Sequence, residues 1–104
     1  MQPPPATLDG ATVLAYAEVD GTIRYTGALH LYHGETRVGP VPRLAICQDP
    51  AVDGMFLFHC DDDWNVLGAQ IWNQPADQVV RTITEVKEKA ERYYTGITAK
   101  WISA

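Results

Sequence analysis

The chain is poor in cysteine, has no long apolar run and is short of positive charge, and each deficit closes off a class of protein. Two cysteines in 104 residues are too few for the disulfide framework of a small secreted scaffold. Cys47 and Cys60 both lie inside apolar runs. The strand register argued below separates them by about four positions, roughly 13 Å, so two buried free thiols are expected. Eight bases against 13 acids leave a formal charge of −5. That balance repels phosphate backbones and anionic lipid, so neither nucleic acid nor a membrane is an expected partner. No stretch approaches the ~18 consecutive apolar residues of a membrane span. The opening Met1-Gln2-Pro3-Pro4-Pro5 has neither the basic region nor the apolar core of a secretory signal, which predicts a cytoplasmic protein.

Catalytic signatures are missing too. There is no G-x-S-x-G, no P-loop and no dinucleotide fingerprint. Neither cysteine stands beside a basic residue that would lower its pKa, and no two carboxylates can be argued into general acid–base geometry. No catalytic residue, metal or cofactor is therefore expected, and a non-enzymatic protein is favoured over an enzyme.

What is present fits one domain: 46% hydrophobic and 20% charged residues are ordinary proportions for a globular chain. Residues 1–10 are proline-rich and read as a poorly ordered leader, residues 11–104 as a single α+β domain. Thr12 to Val19 is strand-like and precedes Asp20-Gly21, a hairpin signal, with Thr22 to Thr26 as the return strand. His33-Gly34-Glu35 marks a second turn. Arg43 to Gln48, Met55 to Cys60 and Asn65 to Trp72 are further strands, the last two joined by an Asp61 to Trp64 turn. A helix follows, capped by Asn73 or Gln74 with Pro75 in its first turn. Its apolar stripe is Val79, Ile83, Val86, Ala90 and Tyr93, and Gly96 is its expected left-handed stop. Three i,i+4 pairs, Asp77 with Arg81, Glu85 with Lys89 and Glu88 with Arg92, support it. Ile97 to Ile102 reads as a last short strand. The expected fold is an antiparallel, mostly meandering sheet of four to six strands, with one C-terminal helix packed on one face.

Alternation of side chains then assigns the faces, given Cys47 opposite Phe56. Ala45, Cys47, Phe56, Phe58, Cys60, Leu67, Ala69 and Ile71 share one, the expected seat of the helix. Leu44, Ile46, Met55, Leu57, His59, Val66, Gln70 and Trp72 share the other, which is also largely apolar. A single helix cannot cover both. The second face is a homodimer interface, a surface covered by the N-terminal hairpin, or a groove for a partner or small molecule.

His59 with Asp61, Asp62 and Asp63 is the densest set of potential metal ligands, but the Asp-x-Asp-x-Asp-Gly spacing and the distal Glu are absent, so a turn is the expected role. His30 and His33, three apart on an extended segment, point to opposite faces. A pocket built on His30, His59 and Tyr32 is the alternative to an interface formed by Ile46, Met55, Leu57, Val66 and Trp72. Pro75 to Thr95 holds four acids and four bases, so the whole acidic excess lies on the sheet and its loops, where it suits a basic protein partner.

The stretch Phe58-His59-Cys60-Asp61-Asp62-Asp63-Trp64-Asn65-Val66-Leu67, with Tyr94-Thr95-Gly96-Ile97-Thr98-Ala99-Lys100-Trp101 after the helix, resembles small, functionally uncharacterised bacterial proteins carried on mobile elements and integron gene cassettes. The resemblance covers the C-terminal half and implies a bacterial accessory protein, with no catalytic residue to transfer. Together these observations predict a binding or interaction module, self-associating through an apolar sheet face.

Overall fold

The computed structural model describes residues 2–72 and 79–104. It is an antiparallel α+β fold. The strands are β1 (Thr7–Leu8), β2 (Ala11–Glu18), β3 (Arg24–Tyr25), β4 (Tyr32–His33), β5 (Thr36–Arg37), β6 (Arg43–Gln48), β7 (Phe56–Cys60), β8 (Val66–Ile71), β9 (Tyr94–Thr95) and β10 (Ile102–Ser103), with helix α1 at Ile83–Glu91 and a 3₁₀ helix at Ile97–Lys100. One six-stranded sheet runs in the order β1-β2-β6-β7-β8, with β10 also paired to β2. Two small ribbons, β3 with β9 and β4 with β5, stand off it.

The β6–β7–β8 meander forms where the apolar runs and the Asp-rich turn place it, and Cys47 does pair with Phe56. The first hairpin does not form. Asp20 Oδ1 accepts from the Thr22 amide at 2.8 Å, and the Ile23 amide donates to the Asp20 carbonyl at 3.1 Å. Gly21 does not take the positive φ that a two-residue hairpin turn requires. The chain therefore leaves the sheet, β3 pairs with β9, and β6 takes the place beside β2. The leader is also more tightly held than expected. Leu8 is buried, and the Val13 amide donates to the Ala6 carbonyl at 3.0 Å.

Helix α1 lies on the face opposite to the expected one. Val86 and Ala90 are completely buried in a cluster with Leu44, Ile46, Leu57, Tyr94 and Ile97. The Phe56, Phe58, Cys47 and Cys60 face is covered instead by Leu8 and Trp64, flanked by Tyr16 and Val52. Both apolar faces are thus largely covered within one chain, with Ile71 left exposed where β8 ends the phenylalanine face. A register shift between His59 and Cys60 exchanges two further side chains: Val66 pairs with Cys60 and joins the phenylalanine face, while Leu67 packs toward the helix side.

The helix starts later than its stripe predicts. Asn73, Gln74, Pro75 and Asp77 lie outside the described residues, and Val79 and Val80 are not helical. Thr82 is the cap: its Oγ accepts from the Glu85 amide at 3.2 Å, the first half of a capping box, and donates to the Glu85 carboxylate at 2.9 Å. Glu85 is thereby turned back toward Thr82 rather than forward to Lys89, whose ammonium lies 5.4 Å from the Trp72 ring centre. Arg81 reaches Asp53 at 2.8 Å. The helix closes at Arg92. Gly96, with φ of 97°, opens the 3₁₀ helix instead, so the segment expected as a strand from Ile97 is helical until Lys100, and only Ile102–Ser103 pairs with β2.

Candidate functional site

The residues expected at a contact face are mostly interior. Ile46, Leu57 and His59 have no exposed surface and Met55 is nearly buried. Val66 is half-buried on the other face, and Trp72 is half-buried under Lys89. The face expected to carry a homodimer interface is a helix-covered core, because α1, Tyr94 and Ile97 occupy it.

His59 does not share a pocket with His30. His30 is exposed on the connection between β3 and β4, whereas His59 lies 6.2 Å from the Tyr94 ring, centre to centre. Its Nε2–H donates to Gln70 Oε1 at 2.9 Å, and Nδ1 has no partner among the described residues. Burial holds its pKa below the ordinary histidine value, with the Gln70 bond opposing. This imidazole is a neutral core group. Tyr94 is likewise pushed up to about 12 by burial, and its hydroxyl oxygen accepts from the Val41 amide at 3.2 Å.

The acidic turn is a structural knot. Asp61 Oδ1 accepts from the amides of Asp63 and Asn65, both at 2.9 Å, and Oδ2 accepts from Asn65 Nδ2 at 3.0 Å. These bonds hold the Asp61 carboxyl below the usual carboxylate range. Among the described residues no group of three or more His, Cys, Asp or Glu is arranged to hold a metal ion. The two free thiols are buried, and desolvation pushes each up to about 12, which removes them as nucleophiles at neutral pH.

A cavity of ≈ 350 Å³ opens elsewhere, between the β4–β5 hairpin, the Val38–Val41 segment and Leu67 of β8. Its wall is apolar through Val38, Pro40, Val41 and Leu67, and its polar side is His33, Thr36 and Arg37. The hairpin is set by Gly34, whose φ of 64° fits the tight turn. Backbone bonds fix its base: the Val38 amide donates to the Leu31 carbonyl at 2.7 Å. His33 Nδ1–H donates to the Leu67 carbonyl at 2.9 Å, which leaves its Nε2 as the free ring atom. Arg37 Nη2 donates to the carbonyls of Leu29 at 2.7 Å and Gly27 at 3.0 Å, and Nε donates to Leu29 at 3.3 Å. The guanidinium is anchored, yet no carboxylate pairs with it among the described residues.

Of the expected site residues only Tyr32 and His30 stand near this hairpin in sequence, and both are exposed. Thr36, Arg37, Val41 and Leu67 are absent from the expected set. The available sign was negative: Gly39-Pro40-Val41-Pro42 cannot donate a full ladder of hydrogen bonds, so it reads as an edge or a crossover.

Trp64 forms a second distinctive locus. It takes a φ of 63° and packs edge-on to Tyr16 with ring centres 5.8 Å apart. The Arg43 guanidinium sits 5.2 Å from its ring centre. Its indole N–H donates to the Gln2 carbonyl at 3.0 Å. Comparison with protein-family models, curated proteins and solved structures gives no match, so the functional reading rests on these geometries.

Proposed function

We propose that the protein is a non-enzymatic binding module whose ligand is a small amphipathic anion seated in the cavity beneath the β4–β5 hairpin. The observation that carries this reading is Arg37: a cation held by two carbonyl oxygens, with no carboxylate paired to it among the described residues, beside an apolar wall. Carbonyls orient a guanidinium without cancelling its charge, and Nη1 is left to donate to a carboxylate. Thr36 adds a hydroxyl. The volume suits a ligand of small-molecule size, since such sites start at about 300 Å³.

Titration of the full chain with octanoate and with octanol, followed by amide NMR, tests the reading. Octanoate should bind about tenfold tighter than octanol, the worth of one charge-assisted hydrogen bond, with shifts centred on Thr36–Val41. Arg37→Met should abolish the preference. Equal binding of acid and alcohol removes the anion from the proposal, and no binding of either removes the cavity.

A second reading, self-association, is favoured by exposed apolar side chains on the β4–β5 hairpin and at the β8 edge of the sheet. Tyr32 is 59% exposed and Ile71 47% exposed, and β8 ends the sheet on its side. A dimer by light scattering that Ile71→Lys dissociates supports it, and a monomer at every concentration rejects it.

A further inference from the structure

The leader and Trp64 carry an inference independent of the cavity. Pro3, Pro4 and Pro5 have no amide hydrogen, so this stretch offers carbonyl oxygens and no backbone donors, and three consecutive prolines favour an extended polyproline conformation. The chain meets it with an indole N–H as donor, from a Trp64 ring that is only 6% exposed in the folded chain. Trp64 donates to the Gln2 carbonyl at 3.0 Å, and the Tyr16 ring and Arg43 guanidinium brace the indole. The far end of the leader is tied by the Ala6 carbonyl to the Val13 amide. Between these two anchors a space of ≈ 470 Å³ remains, bounded by Gln2 to Pro5 on one side and by Asp62, Asp63 and Trp64 on the other. Pro3 and Pro5 are exposed and only Pro4 is half-buried, so the leader is held at its two ends and packs lightly in between.

We propose that the Trp64 locus is a docking site for an extended, proline-rich segment of another protein that carries a lysine or arginine, and that residues 2–5 occupy it in cis as an internal competitor. The occupant's backbone chemistry is read from the segment already seated there. Its charge is read from Asp62 and Asp63, two exposed carboxylates that line the space and that no side chain of the segment Gln2-Pro3-Pro4-Pro5-Ala6 can neutralise. A tethered segment competes at an effective concentration in the millimolar range, so a basic proline-rich segment displaces it only by adding the contact to the aspartates.

The test uses the full chain and the Trp64 indole N–H resonance, assigned by its loss in Trp64→Phe. The probe is the acetylated hexapeptide Gln-Pro-Pro-Pro-Ala-Arg, compared with versions carrying Glu in place of Arg or Gly in place of each Pro. The Arg peptide should shift the Trp64 indole and bind about tenfold tighter than either relative. It should also bind about tenfold tighter to the Pro3→Gly, Pro4→Gly, Pro5→Gly triple variant, in which the cis competitor is loosened. Asp62→Asn with Asp63→Asn should erase the preference for Arg over Glu while the rest of the spectrum stays in place. Failure of the Trp64 indole to move in the triple variant at millimolar peptide would overturn the proposal. Equal binding of the Gly peptide would do so as well. A dimer in the unmodified chain that the triple variant dissolves would overturn it in favour of leader exchange between two copies.

Discussion

Leu31 occupies the space where a side chain on residue 68 would stand. A Cβ built on Gly68 would lie 2.5 Å from Leu31 Cδ2 and 2.9 Å from its Cγ, so the connection leading into the β4–β5 hairpin rests directly on the backbone of β8. Gly68→Ala should therefore lift Leu31 and the hairpin behind it. The expected cost is about 1–3 kcal/mol, the usual range for overpacking. Urea denaturation measures it, and the amides of Tyr32–Val38 should exchange faster with solvent than those of β6 and β7.

The buried His59 makes stability pH-dependent in one direction. Its folded pKa lies below the unfolded value near 6.5, so between the two the unfolded chain binds more protons than the native one. Stability contributed by neutral His59 is complete above the unfolded pKa and is lost as pH falls below it. The slope for one proton is at most about 1.4 kcal/mol per pH unit. Denaturation midpoints collected from pH 7.5 to 5 should fall with pH in the unmodified chain, and His59→Leu should flatten that fall.

Both thiols should be silent in the native protein. With pKa values raised from 9.0 to about 12, each has about a thousandfold less thiolate at pH 8 than an ordinary cysteine. Alkylation by iodoacetamide should proceed only as fast as the chain unfolds and should accelerate alike for Cys47 and Cys60 in mild urea. A native-state reaction at one cysteine alone would show that its cover opens locally.

Leu57→Asp separates interior from interface. Leu57 is completely buried beneath the helix side of the sheet, and an unpaired carboxylate there is expected to cost more than about 4 kcal/mol. Circular dichroism should show loss of the whole fold. A folded monomer would mean the side chain had faced a partner.

Where local chemistry decides the structure, the residues announce it. The β6–β7 register, the Asp61 to Trp64 turn and the Val86–Ala90 stripe follow from alternation, turn propensity and helical spacing, and each is where those rules place it. The misses share a different cause. The bulge after His59 adds one residue to a strand without any compositional mark, and it alone exchanges Val66 with Leu67. The side chosen by α1 depends on what else can cover Phe56 and Phe58, and that is Leu8 and Trp64, one from a stretch expected to be loose and one from a turn. The cap at Thr82 lies within the expected stripe, because Val79 carries the helical spacing one turn before it. The cavity is assembled from a hairpin, a proline-bounded connection and one β8 side chain. No spacing rule joins those three.

Strand β2 pairs with β10 as well as β1 and β6, and β3 finds its partner only at β9. These pairings set a timetable for the nascent chain. Residues 11–18 leave the ribosome well before the helix, Tyr94, Ile97 and β10, which seal the sheet. Until then Leu44, Ile46 and Leu57 present an uncovered apolar surface on a strand meander that is already able to form. Closing such distant pairings is slow, in the range of milliseconds to seconds for sheet-dominated domains. Yield in the cell should accordingly respond more to translation rate and chaperone supply than the equilibrium stability of the finished domain would indicate.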